Sequence, residues 1–368
     1  MHLFQTNREI FMENKAERPR IIFLDWLRVI ACFMVFTVHA SECVYSNDYS
    51  YSFPSELARW SVCIINTFVR PAVPLFLMAS AYLLILVKTD AITFFKRRLV
   101  RVAIPFLVWL LAYCCVPALW GEFTGTEVLA NLKQVCINFI PRESHLWFIY
   151  MLLSIYLVMP LISAGLERMT RRDEKLFIGL WLVTTFFIYL HEYVGDVFGE
   201  CWWNPNPPFY YISGYLGYVF VAHYIRKYLN WSWEKTLKIA LPLFLAGWAF
   251  CCWWYYDQSF KAEEVRVLEL AGQPYTIAPA IMTFGAFMMI KKINLGTGKF
   301  YDLVKSISLN SYGMYLMHMM MLPAIYSFFA PLLPVPLTIF VTTLTTYIFS
   351  YLLSRFFSLL PGGKYIVG

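Results

Sequence analysis

The sequence predicts an all-α polytopic membrane protein, one bundle of about ten transmembrane helices with both termini in the cytoplasm. Three observations predict it. Of 368 residues, 60% are hydrophobic and only 14% charged, whereas soluble domains average roughly 45–50% apolar and about 25% charged. Apolar runs near the ~20 residues that cross a bilayer recur from one end of the chain to the other. Lys and Arg concentrate in alternate connections between those runs, as orientation in a membrane requires. A mean hydropathy of +0.57 agrees. This balance excludes a soluble enzyme, a disordered chain and a nucleic-acid binder as first readings.

Residues 1–20 are polar, and no small-residue cleavage pattern follows the first apolar run, so they read as a cytoplasmic tail and not a signal peptide. The first span, 21–41, carries Asp25, Arg28 and His39 in IIFLDWLRVIACFMVFTVHA. The second, 61–87, holds Arg70 beside Pro71 and Pro74. The third, 99–120, is entered through KRRLVR, and the fourth, 145–166, opens on His145. Spans at 176–193, 207–225, 237–256 and 274–290 follow, the sixth interrupted by Pro207, Pro208 and Gly214 and the eighth by Pro274 and Pro279. Such breaks are compatible with a transport site. The ninth, 306–329, contains His318, and 333–354 completes the set, leaving 359–368 as a cytoplasmic tail and 21–358 as one domain.

The charges test the assignment, because they were not used to choose the spans. The N-terminal tail, the connections near 88–101, 167–175, 226–238 and 291–305, and the C-terminus hold 23 of the 30 Lys and Arg. The alternate connections hold five: Arg59, Lys133, Arg142, Lys261 and Arg266. Thirteen of 23 acids fall on that other side, among them Glu192, Asp196, Glu200, Glu263 and Glu264. Nine cysteines, an odd number without a CxxC pair, exclude full disulfide pairing and give no support to a zinc site.

A charge at membrane depth costs at least about 2.5–3.5 kcal/mol, so each invites a functional reading. Arg28 and His39 are eleven residues apart, which at ~100° per residue puts both on one helix face, separated by ~16 Å along the axis. Asp25 and Arg28 could equally form a helix-end ion pair with Arg28 reaching to water, and His39 could be an interface packing residue. Arg70 falls near mid-bilayer, either as a working group or as a partner for carbonyls freed by the prolines. His318 also falls near mid-depth, where packing competes with catalysis, and His145 lies at the outer surface. Lys96, Arg97, Arg98 and Arg101 either anchor the inner surface or bind phosphate.

The motifs resemble those of acyltransferase family 3, bacterial integral-membrane O-acyltransferases of surface glycans. LDWLRVIA followed by His39 is similar to the first-helix signature, with ten residues between a basic residue and the histidine. VPLFLMASAYLL is similar to the second-helix motif, with Ala81 where glycine is usual. Arg98 and Arg101 fit its Arg-x-x-Arg pattern, and HLWFIY and SYGMYLMH match later motifs. No fused esterase-like domain follows, so the likeness is to stand-alone members. The resemblance implies transfer of an acyl group, most often acetyl, from cytoplasmic acyl-CoA to a hydroxyl of an extracytoplasmic or lipid-linked glycan, in the bacterial inner membrane and without a metal. It implies that Asp25, Arg28, Lys96, Arg97, Arg98 and Arg101 serve the donor. His39 would be the general base, a role typically worth 10²–10⁴-fold. Arg70 and His145, then Ser80 and His318, are candidates to stabilise the oxyanion. Direct transfer and an acyl-histidine intermediate both stay open. Trp202 and Trp203 are candidate sugar-stacking residues or members of the aromatic belt that is normal at membrane interfaces. A transporter or flippase of a sugar or glycolipid explains the helices, buried charge and prolines equally well. It does not explain a basic cluster at the inner end of a column leading to His39.

Overall fold

A chain in hydrocarbon must satisfy its backbone polar groups internally, and helix is how this one does so. The computed structural model describes residues 20–47, 50–199 and 211–368. Trp202, Trp203, Pro207 and Pro208 lie outside the described residues. The helices are α1 (Ile22–Glu42), α2 (Glu56–Phe68), α3 (Ala72–Leu84), α4 (Ala91–Cys115), α5 (Gly125–Gln134), α6 (Trp147–Arg168), α7 (Arg171–Thr184) and α8 (Phe187–Val194). They continue with α9 (Leu216–Tyr228), α10 (Trp233–Gln258), α11 (Val265–Leu268), α12 (Ile277–Ile290), α13 (Gly298–Met317), α14 (Leu322–Phe329), α15 (Val335–Leu359) and α16 (Lys364–Val367). A two-stranded hairpin, Ser46–Asn47 against Ser50–Tyr51, follows α1.

Among the described residues seven helical stretches are long and apolar enough to cross a membrane. These coincide with seven of the expected spans. The other three expected runs fall on α9 and α12, 13 and 14 residues long, and on α13–α14, which a 3-10 turn at His318–Met320 interrupts. The second span is one stretch with a break: α2 ends at Phe68 and α3 begins at Ala72. Proline lacks an N–H and crowds the preceding turn, so Pro71 splits the helix and leaves Arg70 at the junction.

Helix α1 is central, packed against α2, α3, α13 and α15. Helices α10 and α12 cross closely because Gly247 and Gly285 face the contact; a Cβ on Gly285 would lie 2.5 Å from the Ala240 carbonyl oxygen. Small residues allow such approaches between membrane helices. The segment after α10 does not stay at the surface. Leu268, Leu270, Ala271 and Thr276 are fully buried, so α11 and the following turn fold into the bundle beside the α2–α3 break. Residues 359–368, expected as a tail, also pack back. Val367 is buried, and the Trp109 indole donates to the Ile366 carbonyl at 2.9 Å.

Candidate functional site

The end of α1 carries the first feature. His39 and Glu42, three apart, share a helix face, and His39 Nδ1 lies 2.7 Å from Glu42 Oε2. A carboxylate only accepts, so Nδ1 carries a proton, and in the neutral imidazole Nε2 then presents the lone pair. Around it stand His145 and His318, with ring centroids 6.2 and 5.3 Å from His39. Phe36, one turn earlier on α1, stacks on the His318 ring at 4.4 Å. His318 Nδ1 donates to the Tyr315 carbonyl at 2.6 Å, leaving Nε2 buried and without a hydrogen-bond partner. Tyr113 donates to the Leu316 carbonyl at 3.1 Å and sits 3.3 Å from His145 Nε2. His145 Nε2–H therefore donates to the phenol, and Nδ1 is left with a lone pair and no partner. In these tautomers both neighbours offer lone pairs, which shifts oxyanion stabilisation away from His145 and towards Arg70.

Arg70 does not pair with proline-freed carbonyls. Its Nε donates to Asn66 Oδ1 at 2.6 Å and one terminal nitrogen to Glu269 at 3.3 Å, while the other meets the Tyr255 hydroxyl. Asn66, four residues back on α2, donates in turn to Ser41 on α1 at 2.8 Å, and Tyr45 donates to Glu269 at 2.5 Å. A buried guanidinium needs such pairing. Gly272 closes over it; a Cβ there would come within 2.9 Å of Arg70 Nε.

His39, Glu42, Arg70, His145, Glu269 and Gln273 line a pocket of about 190 Å³. A second cavity of about 390 Å³ is lined by Arg28, Ser80, Arg98, Arg101, Tyr156 and Ser311 among others, and no Asp or Glu side chain lines it. Phe148 and Tyr315 line both and form the wall between them. The two aromatic rings meet edge to face at 5.7 Å, and Tyr315 donates its hydroxyl to the His145 carbonyl. Ser80 thus lies in the arginine cavity together with Tyr156, and not in the His39 pocket. Asp25 lines neither cavity. It is buried and accepts from Arg20 at 2.6 and 2.7 Å, Tyr301 at 2.9 Å and Ser308 at 2.7 Å, with Arg28 4.0 Å away. Lys96 and Arg97 turn towards a separate groove of about 490 Å³.

The structure therefore brings His39, Arg70 and His145 into one pocket with His318 behind them, and Arg28, Arg98, Arg101 and Ser80 into the other. Sequence reasoning missed Glu42 and Glu269. The i, i+3 spacing could have found Glu42; nothing local marks Glu269. Among the described residues no group of three or more His, Cys, Asp and Glu is placed to hold a metal ion. A family model described as an acyltransferase domain matches residues 21–355. Among curated proteins and among solved structures, nothing matches.

Proposed function

The chain belongs to acyltransferase family 3, and from that premise we propose that it moves an acyl group, acetyl in the first instance, from cytoplasmic acyl-CoA to a glycan hydroxyl across a bacterial inner membrane. The observation that carries the reading is the pair of contiguous cavities. A chamber with three arginines and no Asp or Glu side chain lies on one side of Phe148 and Tyr315, and the carboxylate-held His39 lies on the other. Guanidinium groups bind phosphate through their planar donors. The ~16 Å rise from Arg28 to His39 suits an extended phosphopantetheine arm carrying a thioester upward from anchored phosphates.

In this mechanism the acceptor hydroxyl donates to His39 Nε2 while its oxygen attacks the thioester carbonyl carbon. Glu42 stabilises the imidazolium that forms, and Arg70 offers N–H donors to the tetrahedral oxyanion. As the C–S bond breaks, His39 returns the proton to the CoA sulfur, so the base leaves the cycle as it entered. Arg28, Arg98 and Arg101 hold donor phosphates, with Asp25 and Arg20 fixing the base of α1 beside them. A transporter or flippase does not explain an arginine-lined chamber leading to that imidazole. The test is transfer of isotope-labelled acetyl from acetyl-CoA to a surface glycan by purified protein in nanodiscs, read by mass spectrometry. His39→Ala should abolish transfer and keep acetyl-CoA binding. Transfer at the wild-type rate by a folded His39→Ala protein overturns the mechanism, and glycan translocation without labelling establishes the transporter.

A further inference from the structure

The groove of about 490 Å³ is lined by Lys96, Arg97, Val100, Arg101, Lys364, Tyr365 and Gly368. Residues 96, 97, 100 and 101 form one face of α4 by their helical spacing, while Arg98 turns away into the arginine cavity. The opposite wall is α16, whose position is built into the fold. Val367 is buried against Gly313 of α13, where a Cβ would come within 2.6 Å of it, and the Trp109 indole holds the Ile366 carbonyl. Lys364 and Tyr365 are presented outward from this anchored turn, with the ammonium 4.9 Å from the phenol ring and the ring 42% exposed. No Asp or Glu side chain lines the groove, and among the described residues none of its four cations is ion-paired. The chamber and the groove meet at Arg101, which lines both.

The donor of the proposed reaction has two chemically distinct halves. The phosphopantetheine arm is thin and carries the thioester; the other half is an adenine on a 3′-phosphorylated ribose diphosphate, flat at one end and densely anionic. The arginine cavity suits the arm and the diphosphate at its root. The nucleotide end needs an aromatic face and further cations outside that cavity. We propose that the groove between α4 and α16 seats the 3′-phosphoadenosine end of the acyl-CoA donor, with Lys364 on the 3′-phosphate and Tyr365 against the adenine. This assignment rests on acyl-CoA being the donor. It makes α16, which carries none of the quoted sequence motifs, part of the donor site. Four cations without an ion pair and an exposed aromatic ring around one groove supply what that occupant needs, positive charge for its phosphate and a flat face for its base. Stacking on an aromatic side chain supports a purine regardless of base identity, and a cation within reach of phosphate adds a charge-assisted hydrogen bond.

The test is equilibrium binding of acetyl-CoA and of 3′-dephospho-acetyl-CoA to the full chain in phosphatidylcholine nanodiscs. The wild type should prefer acetyl-CoA by about tenfold or more, the order expected for one charge-assisted phosphate contact. Lys364→Gln should weaken acetyl-CoA to the level of the dephospho compound and leave the latter unchanged. Lys364→Arg should restore the preference. Tyr365→Ala should weaken both ligands by the same factor. A preference that survives Lys364→Gln in a protein that binds acetyl-CoA overturns the groove assignment alone. A wild type that binds neither compound removes the donor reading together with it. If phosphatidylglycerol in the nanodisc raises the melting temperature of the wild type but not of Lys364→Gln, while the ligand preference stays intact, the groove is a lipid headgroup site and the proposal falls.

Discussion

Replacing Glu42 by Gln keeps the size and shape of the side chain and removes its charge. The bond at stake is the 2.7 Å contact from Glu42 Oε2 to His39 Nδ1. Glutamine can meet that nitrogen in two ways. With its carbonyl facing the ring, the Nδ1–H tautomer survives but a charge-assisted bond becomes a neutral one. A hydrogen bond to a charged group contributes about 1.5–3 kcal/mol and a neutral one about 0.5–1.5. The imidazolium formed during transfer then loses about 1–2 kcal/mol, roughly 5- to 30-fold in rate. With its amide facing the ring, Nδ1 must accept, Nε2 takes the proton, and the base is lost with its full ~10²–10⁴-fold contribution.

The expected outcome is therefore a fall in turnover of at least about fivefold and at most about 10⁴-fold. Acetyl-CoA binding should not change, because Glu42 lines the His39 pocket and not the arginine cavity. The assay is single-turnover acetyl transfer alongside equilibrium binding on the same preparation, with thermal unfolding as the check on folding. Turnover within twofold of wild type would show that Glu42 neither orients nor charges the catalytic imidazole.

Four further outcomes follow from the same geometry. Gly272→Ala places a methyl 2.9 Å from Arg70 Nε and should cost about 1–3 kcal/mol of stability through overpacking, with turnover falling more than donor affinity; calorimetry and steady-state kinetics separate the two. Arg70→Lys should retain donor binding and lose transfer, since lysine cannot reproduce three planar contacts to Asn66, Glu269 and Tyr255, and full activity would make Arg70 a structural charge. Arg98→Gln with Arg101→Gln should weaken acetyl-CoA binding, by less at high salt because exposed charges are screened; unchanged affinity at low salt assigns those arginines to membrane anchoring. Cysteine-accessibility labelling should place the connection at 192–206 on the face opposite both termini, and labelling from the same side would invert every depth argued above.

Much of the site is legible in the sequence because it lies on one helix. A rotation of ~100° per residue puts Arg28, His39 and Glu42 on neighbouring lines of α1, so their order along the membrane axis is fixed by spacing alone. Arg98 and Arg101 are legible in the same way. The helical architecture follows from apolar runs that have no other way to satisfy their backbone in lipid. The α2–α3 break is marked by Pro71, although its consequence for Arg70 is a set of side-chain contacts and not the freed carbonyls that the proline suggests.

Glu269 shows why the rest is not legible. Arg70, buried within the bundle, requires a compensating acid, because an unpaired buried charge costs several kcal/mol. Physics thus demands a partner without naming it. Glu269 sits in VRVLELAG, a segment whose charge and position read as an outer connection, 199 residues from Arg70. Only the descent of α11 into the bundle, driven by burial of Leu268, Leu270 and Ala271, brings the carboxylate to the guanidinium. The same holds for Lys364 and Tyr365, which read as part of a tail until the burial of Val367 folds them against α4. In both cases an apolar residue next to the polar one decides where the chemistry lies. The apolar residues flanking a charged group in a connecting segment are accordingly the place to look for the missing partners of buried charges.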